Sequence, residues 1–387
     1  MSESIFYNET VDGARLCHFR KNKGRAVWAR LFPSKTKGIK NMALQKFIVS
    51  RDDTIYEAWP DVVQTARGKM ICIFSECEHH VDRLNARITL RESCDRGRTW
   101  SEKRYLSERG TREAFYNCAR ISRLRDGRLA VLCDMIYGDE NEKSEIHMWL
   151  GDSEGTNWEG PVVYPFCGIV PDKLVELENG RWIIAAHFKN HTVGKLEQYL
   201  WYSDDQGKSW SDRVTVAADP AYNLCEVSIL EYEKGRLVAF LRENSGKGYD
   251  ILKVLSEDNG ESWSPIYRTP MGCGHRPVSG CLADGRVMVT YRYITGGTQN
   301  VFAAFQDLED MAKGERTEQR VRIMPLDYDR NPAPDLGYTG WTQFEDGEIY
   351  VVNYIKDDTD KAHIRGYSFY PEDVMLPEKP TATQNVF

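Results

Sequence analysis

The sequence predicts an all-β protein, a six-bladed β-propeller of four-stranded antiparallel sheets, because one short pattern recurs six times. In each copy a small polar turn at a glycine is followed by an apolar run, as in LRDGRLAVLC and EYEKGRLVAF. Successive turn glycines are separated by 59, 53, 55, 50 and 62 residues, which leaves room for four strands in each unit. The turn glycines are Gly68, Gly127, Gly180, Gly235, Gly285 and Gly347.

A second pattern, Ser-x-Asp-x-Gly-x-(Ser/Thr)-Trp, follows three of these hairpins. It occurs as SCDRGRTW, SDDQGKSW and SEDNGESW, and GDSEGTNW is a weaker fourth copy. The aspartate can accept backbone N–H groups in a tight turn, the glycine supplies a positive φ, and the tryptophan fills the gap between sheets. We therefore interpret the aspartates of these turns as structural, and we expect worn copies near Gln306 and Ser368.

These turns are Asp-boxes, and with the hairpins they make the chain resemble the sialidase (neuraminidase) superfamily. The resemblance implies a six-bladed propeller over roughly residues 45–370. It also implies that the box tryptophans Trp100, Trp210 and Trp263 lie on the face opposite the pocket.

Composition narrows the class of partner and the setting. The net charge of −7 and the absence of Lys/Arg blocks argue against a nucleic-acid partner. No apolar run reaches eighteen residues, so no membrane span is expected. The ten cysteines form no CxxC pair and no export signal is visible, which favours reduced thiols and a cytoplasmic location. We expect a single domain over 1–387, with the N-terminal segment, about 1–45, completing the last blade.

The innermost strands should carry the functional residues, because they converge on the axis of a propeller. Several of the side chains at matching positions are polar and would need partners there. An alternative is a satisfied structural network around a water channel. The residues nine positions before the turn glycines are Trp59, Cys118, Pro171, Glu226, Arg276 and Tyr338.

The resemblance assigns roles to two of these residues. In sialidases a tyrosine ahead of a DG hairpin is the nucleophile, and Tyr338 opens the similar YTGWTQFEDGEIYVVNY. A glutamate polarises that tyrosine in the family, and Glu226 in EVSILEYEKGRL takes its place. A phenol of pKa about 10 is a poor nucleophile at neutral pH, so a carboxylate that accepts its proton is a chemical requirement.

The general acid of the family is an aspartate in a loop of the first blade. In this chain the loop is SECEHHVDRLNARITLRES, and Asp82 stands at the matching register. The neighbouring His79 and His80 are rival proton donors, because histidine titrates near neutral pH.

The arginine clamp of the family is incomplete in this chain. Sialidases hold the substrate carboxylate with three arginines, and Arg242 matches the second. Glu57 and Ala58 stand where the first should be, and Gln299 stands near the third.

Other side chains could complete the binding site. Arg276 and Arg292 could supply guanidinium groups from neighbouring positions, and Trp59 and Trp341 are candidate stacking surfaces. HFKNH places His187 and His191 four residues apart, which we interpret as a solvated loop.

The sequence therefore predicts a sialidase-like exo-glycoside hydrolase. Its substrate would be an acidic or otherwise atypical glycoside, cleaved with retention by the Tyr338 nucleophile, without a metal or an organic cofactor. Two alternatives stay open. One is a polysaccharide lyase, in which Tyr338 or a histidine removes the proton next to a uronate carboxylate neutralised by Arg242. The other is a non-catalytic carbohydrate-binding propeller.

Overall fold

The computed structural model of the chain describes residues 6–11, 14–20, 26–29, 44–138 and 143–374. Its contacts separate a first unit, residues 1–42, from a second unit, residues 43–387. The first unit contains three antiparallel strands that pair in the order β1–β2–β3. Their bounds are Phe6–Val11, Ala14–Arg20 and Ala26–Ala29.

The second unit is built from short antiparallel strands. In chain order they are β4 (Leu44–Ser50), β5 (Tyr56–Gln64), β6 (Met70–Cys77), β7 (Arg87–Ser93), β8 (Arg104–Tyr105), β9 (Ala114–Tyr116), β10 (Arg120–Arg123), β11 (Leu129–Tyr137), β12 (Lys143–Gly151), β13 (Trp158–Tyr164), β14 (Val175–Glu176), β15 (Trp182–Asn190), β16 (Lys195–Ser203), β17 (Val214–Ala217), β18 (Leu224–Glu233), β19 (Arg236–Glu243), β20 (Leu252–Ser256), β21 (Tyr267–Arg268), β22 (Gly274–Cys281), β23 (Arg286–Thr295), β24 (Thr298–Asp307), β25 (Arg322–Tyr328), β26 (Leu336–Gln343), β27 (Ile349–Ile355) and β28 (His363–Phe369).

These strands form six sheets, and the predicted six-bladed β-propeller is confirmed. Blade 1 is β5–β8, and blade 2 is β10–β13 with β9 paired to β11. Blades 3, 4 and 5 are β14–β17, β18–β21 and β22–β25. Blade 6 pairs β26, β27 and β28 with β4.

Blade 6 closes the ring with strands from both ends of the unit. The first strand of the unit, β4, pairs with its last, β28, so that Ser50 faces Ile364 and Leu44 faces Phe369. This pairing covers the outer edge of β28 and makes β4 the outermost strand of blade 6, so both ends of the unit are joined in one sheet. The closing strand lies at 44–50, at the end of the segment for which this role was expected. A single domain over 1–387 stays a prediction.

The hairpin turns follow the sequence pattern. All six turn glycines have φ between +74° and +92°, a region that residues with a Cβ rarely adopt. The strands that follow the turns pack between neighbouring blades, and every residue of β6 and β27 is buried. By contrast, the outermost strand β13 is exposed along most of its length. Burial on both faces explains why these strands are continuously apolar rather than alternating.

The box turns have the predicted chemistry. Asp205 accepts hydrogen bonds from the backbone N–H and the hydroxyl of Ser209, and Gly207 donates to the Ser203 hydroxyl at 2.8 Å. The bonds from Ser209 and Ser203 lower the pKa of Asp205 to about 2. Trp100, Trp210 and Trp263 are half-buried. Each box follows the third strand of an antiparallel blade, so it lies at the opposite end from the first residues of the inner strand.

The fourth copy is also a real box, whereas the fifth and sixth are not. Asp152 accepts from the backbone of Thr156, and Trp158 Nε1 donates to the carbonyl of Gly155 at 3.0 Å. In place of the worn copies the chain forms short helices. They are two 3-10 helices, Leu308–Ala312 and Arg316–Glu318, and the helix α1, Pro371–Val374.

None of the helices in the described residues has the length and apolar character required to cross a membrane.

Substitution of Gly97 tests the packing of a box turn against the neighbouring blade. A methyl group on Gly97 would lie 2.3 Å from the Tyr350 ring of blade 6, whereas one on Gly285 would meet nothing within 4 Å. Both glycines have similar φ values, +78° and +85°, so Gly285→Ala is a matched control for backbone strain. We expect Gly97→Ala to lower the free energy of unfolding by about 1–3 kcal/mol more than Gly285→Ala, measured by urea denaturation. Equal losses would contradict this packing.

Candidate active site

Backbone bulges at the start of the inner strands aim side chains at the axis. Glu226, Arg276 and Tyr338 have φ of +50°, +48° and +49°. Strand pairing shifts register at each of them. Trp59 (φ +54°) and Val170 (φ +49°) share the conformation, so blade 3 contributes Val170 rather than the expected Pro171. Such backbone strain costs about 1–3 kcal/mol per residue, and its repetition around the axis supports the hypothesis that the functional site lies there.

Two cavities meet near the axis and share Tyr338 and His80. The Trp59 lobe has a volume of about 630 Å³, and its apolar wall includes Val81, Phe115, Ile136, Ile169 and Val170. The Arg242 lobe has a volume of about 590 Å³, and its charged wall includes His79, Arg292, Asp335 and Lys356. The two lobes therefore lie on either side of the same phenol, one combining an apolar wall with the Asp82–Arg112 ion pair and the other lined by several cationic groups.

Tyr338 and Glu226 form a buried pair, as the equal spacing from their turn glycines predicted. The Tyr338 hydroxyl donates to Oε1 of Glu226. Arg242 Nη1 donates to the same oxygen at 2.6 Å, and its Nη2 donates to Asn244 at 2.6 Å. Glu226 is 3% exposed and Tyr338 is 8% exposed, so bulk water does not screen these interactions.

Two further arginines flank the Tyr338 ring, but only one of them lines a lobe. The guanidinium of Arg276 lies 5.2 Å from the ring centroid, is fully buried and donates to the Pro171 carbonyl at 3.0 Å. That of Arg292 lies 5.7 Å from the centroid, donates through Nη1 to the Leu336 carbonyl at 3.2 Å and lines the Arg242 lobe. Arg292 is therefore placed to contact a ligand, whereas the buried Arg276 contributes its positive charge to the environment of Glu226.

The charges around this pair determine its protonation. Burial alone would raise the pKa of Glu226, but Arg242, Arg292 and Arg276 outweigh it and lower the pKa to about 2. Burial and the Glu226 carboxylate together raise the pKa of Tyr338 well above its ordinary value. At neutral pH the pair is therefore a carboxylate and a protonated phenol, the arrangement in which the carboxylate can accept the phenol's proton.

His187 belongs to this site, so its interpretation as part of a solvated loop was wrong. It lies in β15, is 4% exposed, and its Nδ1 accepts a hydrogen bond from the backbone N–H of Glu226 at 3.2 Å. Burial lowers the pKa of His187 to about 3, so the ring is neutral. The spacing of HFKNH gave no sign of this, because the contact joins residues from blades 3 and 4.

Asp82 lies in the wall of the Trp59 lobe, where Arg112 occupies its carboxylate. Arg112 donates to both carboxylate oxygens, at 2.9 and 2.8 Å. The backbone N–H of Leu84 donates to Oδ1 at 3.1 Å. The hydrogen bonds from Arg112, followed by that from Leu84, lower the pKa of Asp82. This arrangement favours a carboxylate rather than the protonated acid that the predicted role requires.

His80 instead lies where the two lobes meet, and a carboxylate orients it. Its Nδ1 is 2.6 Å from Oδ2 of Asp335. Asp335 also accepts hydrogen bonds from the hydroxyls of Tyr56 and of Tyr354, the latter at 3.0 Å. The sequence analysis missed Asp335, although it stands only three positions before Tyr338.

The two tryptophans proposed for sugar stacking lie in different places. Trp59 lines its lobe, and the guanidinium of Arg83 lies 3.6 Å from the centroid of its ring. Trp341 lies towards the far end of β26, donates to the Val278 carbonyl at 3.1 Å and lines a separate cavity. Three further strand positions after Tyr338 carry Trp341 away from the lobes.

The positions that lack the family's arginines have structural roles. Glu57 is fully buried, where it accepts from Ser50 and pairs with Lys103. Ala58 is fully buried as well. The Gln299 amide donates to the Pro334 carbonyl at 2.8 Å and accepts from the backbone N–H of Leu336 at 3.0 Å. Gln299 thus holds the segment before Tyr338.

Within the described residues, no group of three or more His, Cys, Asp or Glu side chains is arranged to hold a metal ion.

Sequence comparison supports the assignment of the fold. A profile of the BNR repeat-like domain matches residues 159–293. A sialidase from Paraclostridium sordellii is 22% identical over an alignment 190 positions long, which covers 40% of this chain and 47% of that enzyme. The matched region therefore spans about half the length of this curated relative. These matches agree with the six blades and the box turns. This protein is a six-bladed β-propeller that resembles sialidases.

Solved structures resemble the sialidase-like propeller over most of its length. A protein of unknown function from Dyadobacter fermentans has a TM-score of 0.70 at 20% identity, over 84% of this chain and 98% of its own. A mutant of the NanB sialidase from Streptococcus pneumoniae has a TM-score of 0.62 at 14% identity, over 83% and 69%. An α-L-arabinofuranosidase from Fusarium graminearum has a TM-score of 0.60 at 11% identity, over 86% and 99%. At these identities the likeness establishes the fold.

The ionised Glu226 should make the stability of the sialidase-like propeller depend on pH. Because its folded pKa is about 2 and an unfolded glutamate titrates near about 4.3, its contribution is present above about pH 4.3 and is lost as the pH falls towards 2. Glu226→Gln lacks this contribution at every pH. We expect the wild type to be the more stable protein at about pH 6, and its advantage over Glu226→Gln to shrink at about pH 3. Urea unfolding of both proteins at the two pH values measures the difference in free energy of unfolding between them. A difference that does not change with pH would contradict the ionised carboxylate.

Proposed function

We propose that this propeller is a retaining exo-glycoside hydrolase with Tyr338 as its nucleophile. The observation that carries the proposal is the hydrogen bond from the Tyr338 hydroxyl to a buried, ionised Glu226 at the wall shared by two cavities. A phenol beside a proton acceptor is an activated nucleophile, and tyrosine is the known exception among the carboxylate nucleophiles of retaining glycosidases.

In the first step the Tyr338 oxygen attacks the anomeric carbon as the bond to the leaving oxygen breaks. The phenolic proton passes to Glu226, and an acid at the cavity wall protonates the leaving group. Arg242, Arg292 and Arg276 oppose the transfer to Glu226, because they favour its anionic form. The proton therefore moves late, as the phenol oxygen bonds to carbon and its acidity rises.

In the second step water attacks the same carbon from the side that the leaving group vacated. The bond between the anomeric carbon and the Tyr338 oxygen breaks, and Glu226 returns its proton to the phenolate. The conjugate base of the wall acid takes a proton from the attacking water. Two displacements at one carbon give retention of configuration.

The walls of the lobes favour an acidic or polyhydroxylated sugar. Arg242, Arg292 and Lys356 all line one lobe, and guanidinium groups bind carboxylates and hydroxyl oxygens well. In the described part of the chain no hydrogen bond uses Nη2 of Arg292, which leaves it for a ligand. The Trp59 lobe offers apolar surface to the other side of the substrate.

The protonated state of Tyr338 argues against its use as the base of a lyase. A lyase needs a base that removes the proton next to a uronate carboxylate, and the raised pKa of Tyr338 makes its phenolate scarce. A panel of nitrophenyl glycosides, together with uronate polysaccharides followed by ultraviolet absorbance, separates the alternatives. Nitrophenol release supports the hydrolase, and new unsaturated-uronate absorbance supports the lyase. The absence of both signals supports a binding protein.

Tyr338→Phe should lower the turnover of the best substrate by several orders of magnitude while leaving the fold intact, because only the nucleophilic oxygen is lost. Tyr232→Phe is the matched control, since it also removes one buried hydroxyl. Among the described residues that hydroxyl has no hydrogen-bond partner, and Tyr232 lies near the far end of β18. Initial rates and the circular dichroism of both variants provide the measurement. Hydrolysis by Tyr338→Phe at the wild-type rate would exclude the mechanism.

Ordinary sialosides should be poor substrates, because Ala58 and Gln299 stand where the family has arginines and Gln299 is engaged in holding residues 334–336. A charge-assisted hydrogen bond is worth about 1.5–3 kcal/mol, so each missing arginine should lower kcat/KM about tenfold or more. The comparison is an aryl sialoside against the best glycoside of the panel. Equally efficient turnover of the sialoside would show that Arg292 and Lys356 replace the missing arginines.

A further inference from the structure

His80 stands at the junction of the two lobes with one ring nitrogen engaged. Its Nδ1 lies 2.6 Å from Oδ2 of Asp335. Its side chain is 36% exposed, and both lobes include it in their walls. No hydrogen bond within the described ranges uses Nε2, so this nitrogen is available to a molecule in the cavity.

Asp335 is held so that it can orient this ring. It lies just before β26, and its side chain is 17% exposed. Besides His80 it accepts the hydroxyl of Tyr56 from β5 and that of Tyr354 from β27. Burial would raise the pKa of Asp335, but the bond from His80 and the other donors lower it, which keeps the group a carboxylate. A carboxylate on Nδ1 fixes the tautomer and stabilises the protonated ring.

Asp82, the residue that the family resemblance assigns as acid, is arranged differently. Both of its oxygens accept from Arg112, and Oδ1 also accepts from the backbone of Leu84. A carboxylate with these donors is poorly suited to carry and release a proton. It acts as one end of an ion pair at the rim of the Trp59 lobe.

We propose that His80 is the general acid and base of this site and that Asp335 is its positioning residue. The inference rests on the proposed hydrolase function. As Tyr338 attacks the anomeric carbon, the bond to the leaving oxygen breaks and Nε2 of His80 gives its proton to that oxygen. The neutral ring then takes a proton from the attacking water, and the bond between carbon and the Tyr338 oxygen breaks. At the end of the cycle His80 is protonated again by the proton taken from water, and Glu226 has returned the phenolic proton to Tyr338.

The position of His80 also explains why two lobes meet there. Tyr338 and His80 are the residues that both lobes share, so a glycosidic bond held between them would place its sugar in one lobe and its leaving group in the other. The edge of the His80 ring also packs on Trp59, with centroids 5.4 Å apart, which limits its rotation.

The test compares leaving groups of different basicity on the sugar that the panel identifies. We use its methyl glycoside, whose leaving group needs a proton, and its 2,4-dinitrophenyl glycoside, whose leaving group needs none. His80→Asn should lower kcat/KM about 10²–10⁴-fold on the methyl glycoside and less than about tenfold on the dinitrophenyl glycoside. His191→Asn is the matched control, because His191 is an exposed histidine that lines neither lobe.

Asp335→Asn tests the positioning role through the choice of leaving group. It should show the same selective loss on the methyl glycoside, because a His80 ring without its carboxylate partner no longer holds Nε2 towards the leaving oxygen. A purely structural role would lower the rates on both glycosides equally.

Separate outcomes overturn the inference and the proposed function. If the wild type hydrolyses both glycosides and His80→Asn lowers kcat/KM equally on both, His80 is not the acid. The same conclusion follows if Asp82→Asn shows the selective loss on the methyl glycoside. If the wild type hydrolyses no glycoside of the panel, the proposed function fails and this inference fails with it.

Discussion

The axial site depends on one buried carboxylate. Glu226 accepts hydrogen bonds from Tyr338 and Arg242 through the same oxygen, and its negative charge also balances the positive charges of Arg276 and Arg292. Removing one partner from a buried ion pair typically costs about 3–5 kcal/mol, because the remaining charge is left unpaired. The Tyr338 phenol and Arg242 are therefore held directly by the ionised Glu226, whereas Arg276 and Arg292 bond to backbone carbonyls and keep the carboxyl ionised by their charge.

The ring architecture makes this strained centre possible. The positive φ values at Trp59, Val170, Glu226, Arg276 and Tyr338 turn these side chains towards the axis at an energetic cost. At the other end of the blades, box turns fix neighbouring sheets to each other, as when the Tyr350 hydroxyl of blade 6 donates to the Gly97 carbonyl of blade 1. Pairing of β4 with β28 closes the ring, so no blade can relax outwards to relieve the strain.

The two lobes divide the chemistry of the site. On one side cationic groups gather around Arg292 and Lys356, and on the other an apolar wall surrounds Trp59. Sialidases and an arabinofuranosidase share this fold, so the fold by itself leaves the choice of sugar to the residues that line these walls. In this chain His80 and Gln299 are among the residues that line these walls, whereas Ala58 lies buried outside both lobes.

The sequence by itself determined the blades, because turn glycines, apolar runs and box turns are local features that each unit repeats. It also placed Glu226 and Tyr338 together, since equal distances from equivalent turns mean equivalent heights in the ring. Only the tertiary structure decided which other groups reach them. His187, Asp335 and Arg112 act across blade boundaries, so their contacts leave no periodic trace in the chain. Ion pairing of Asp82 and burial of Arg276 likewise depend on distant residues, because the position and protonation of a side chain follow from the whole surrounding field.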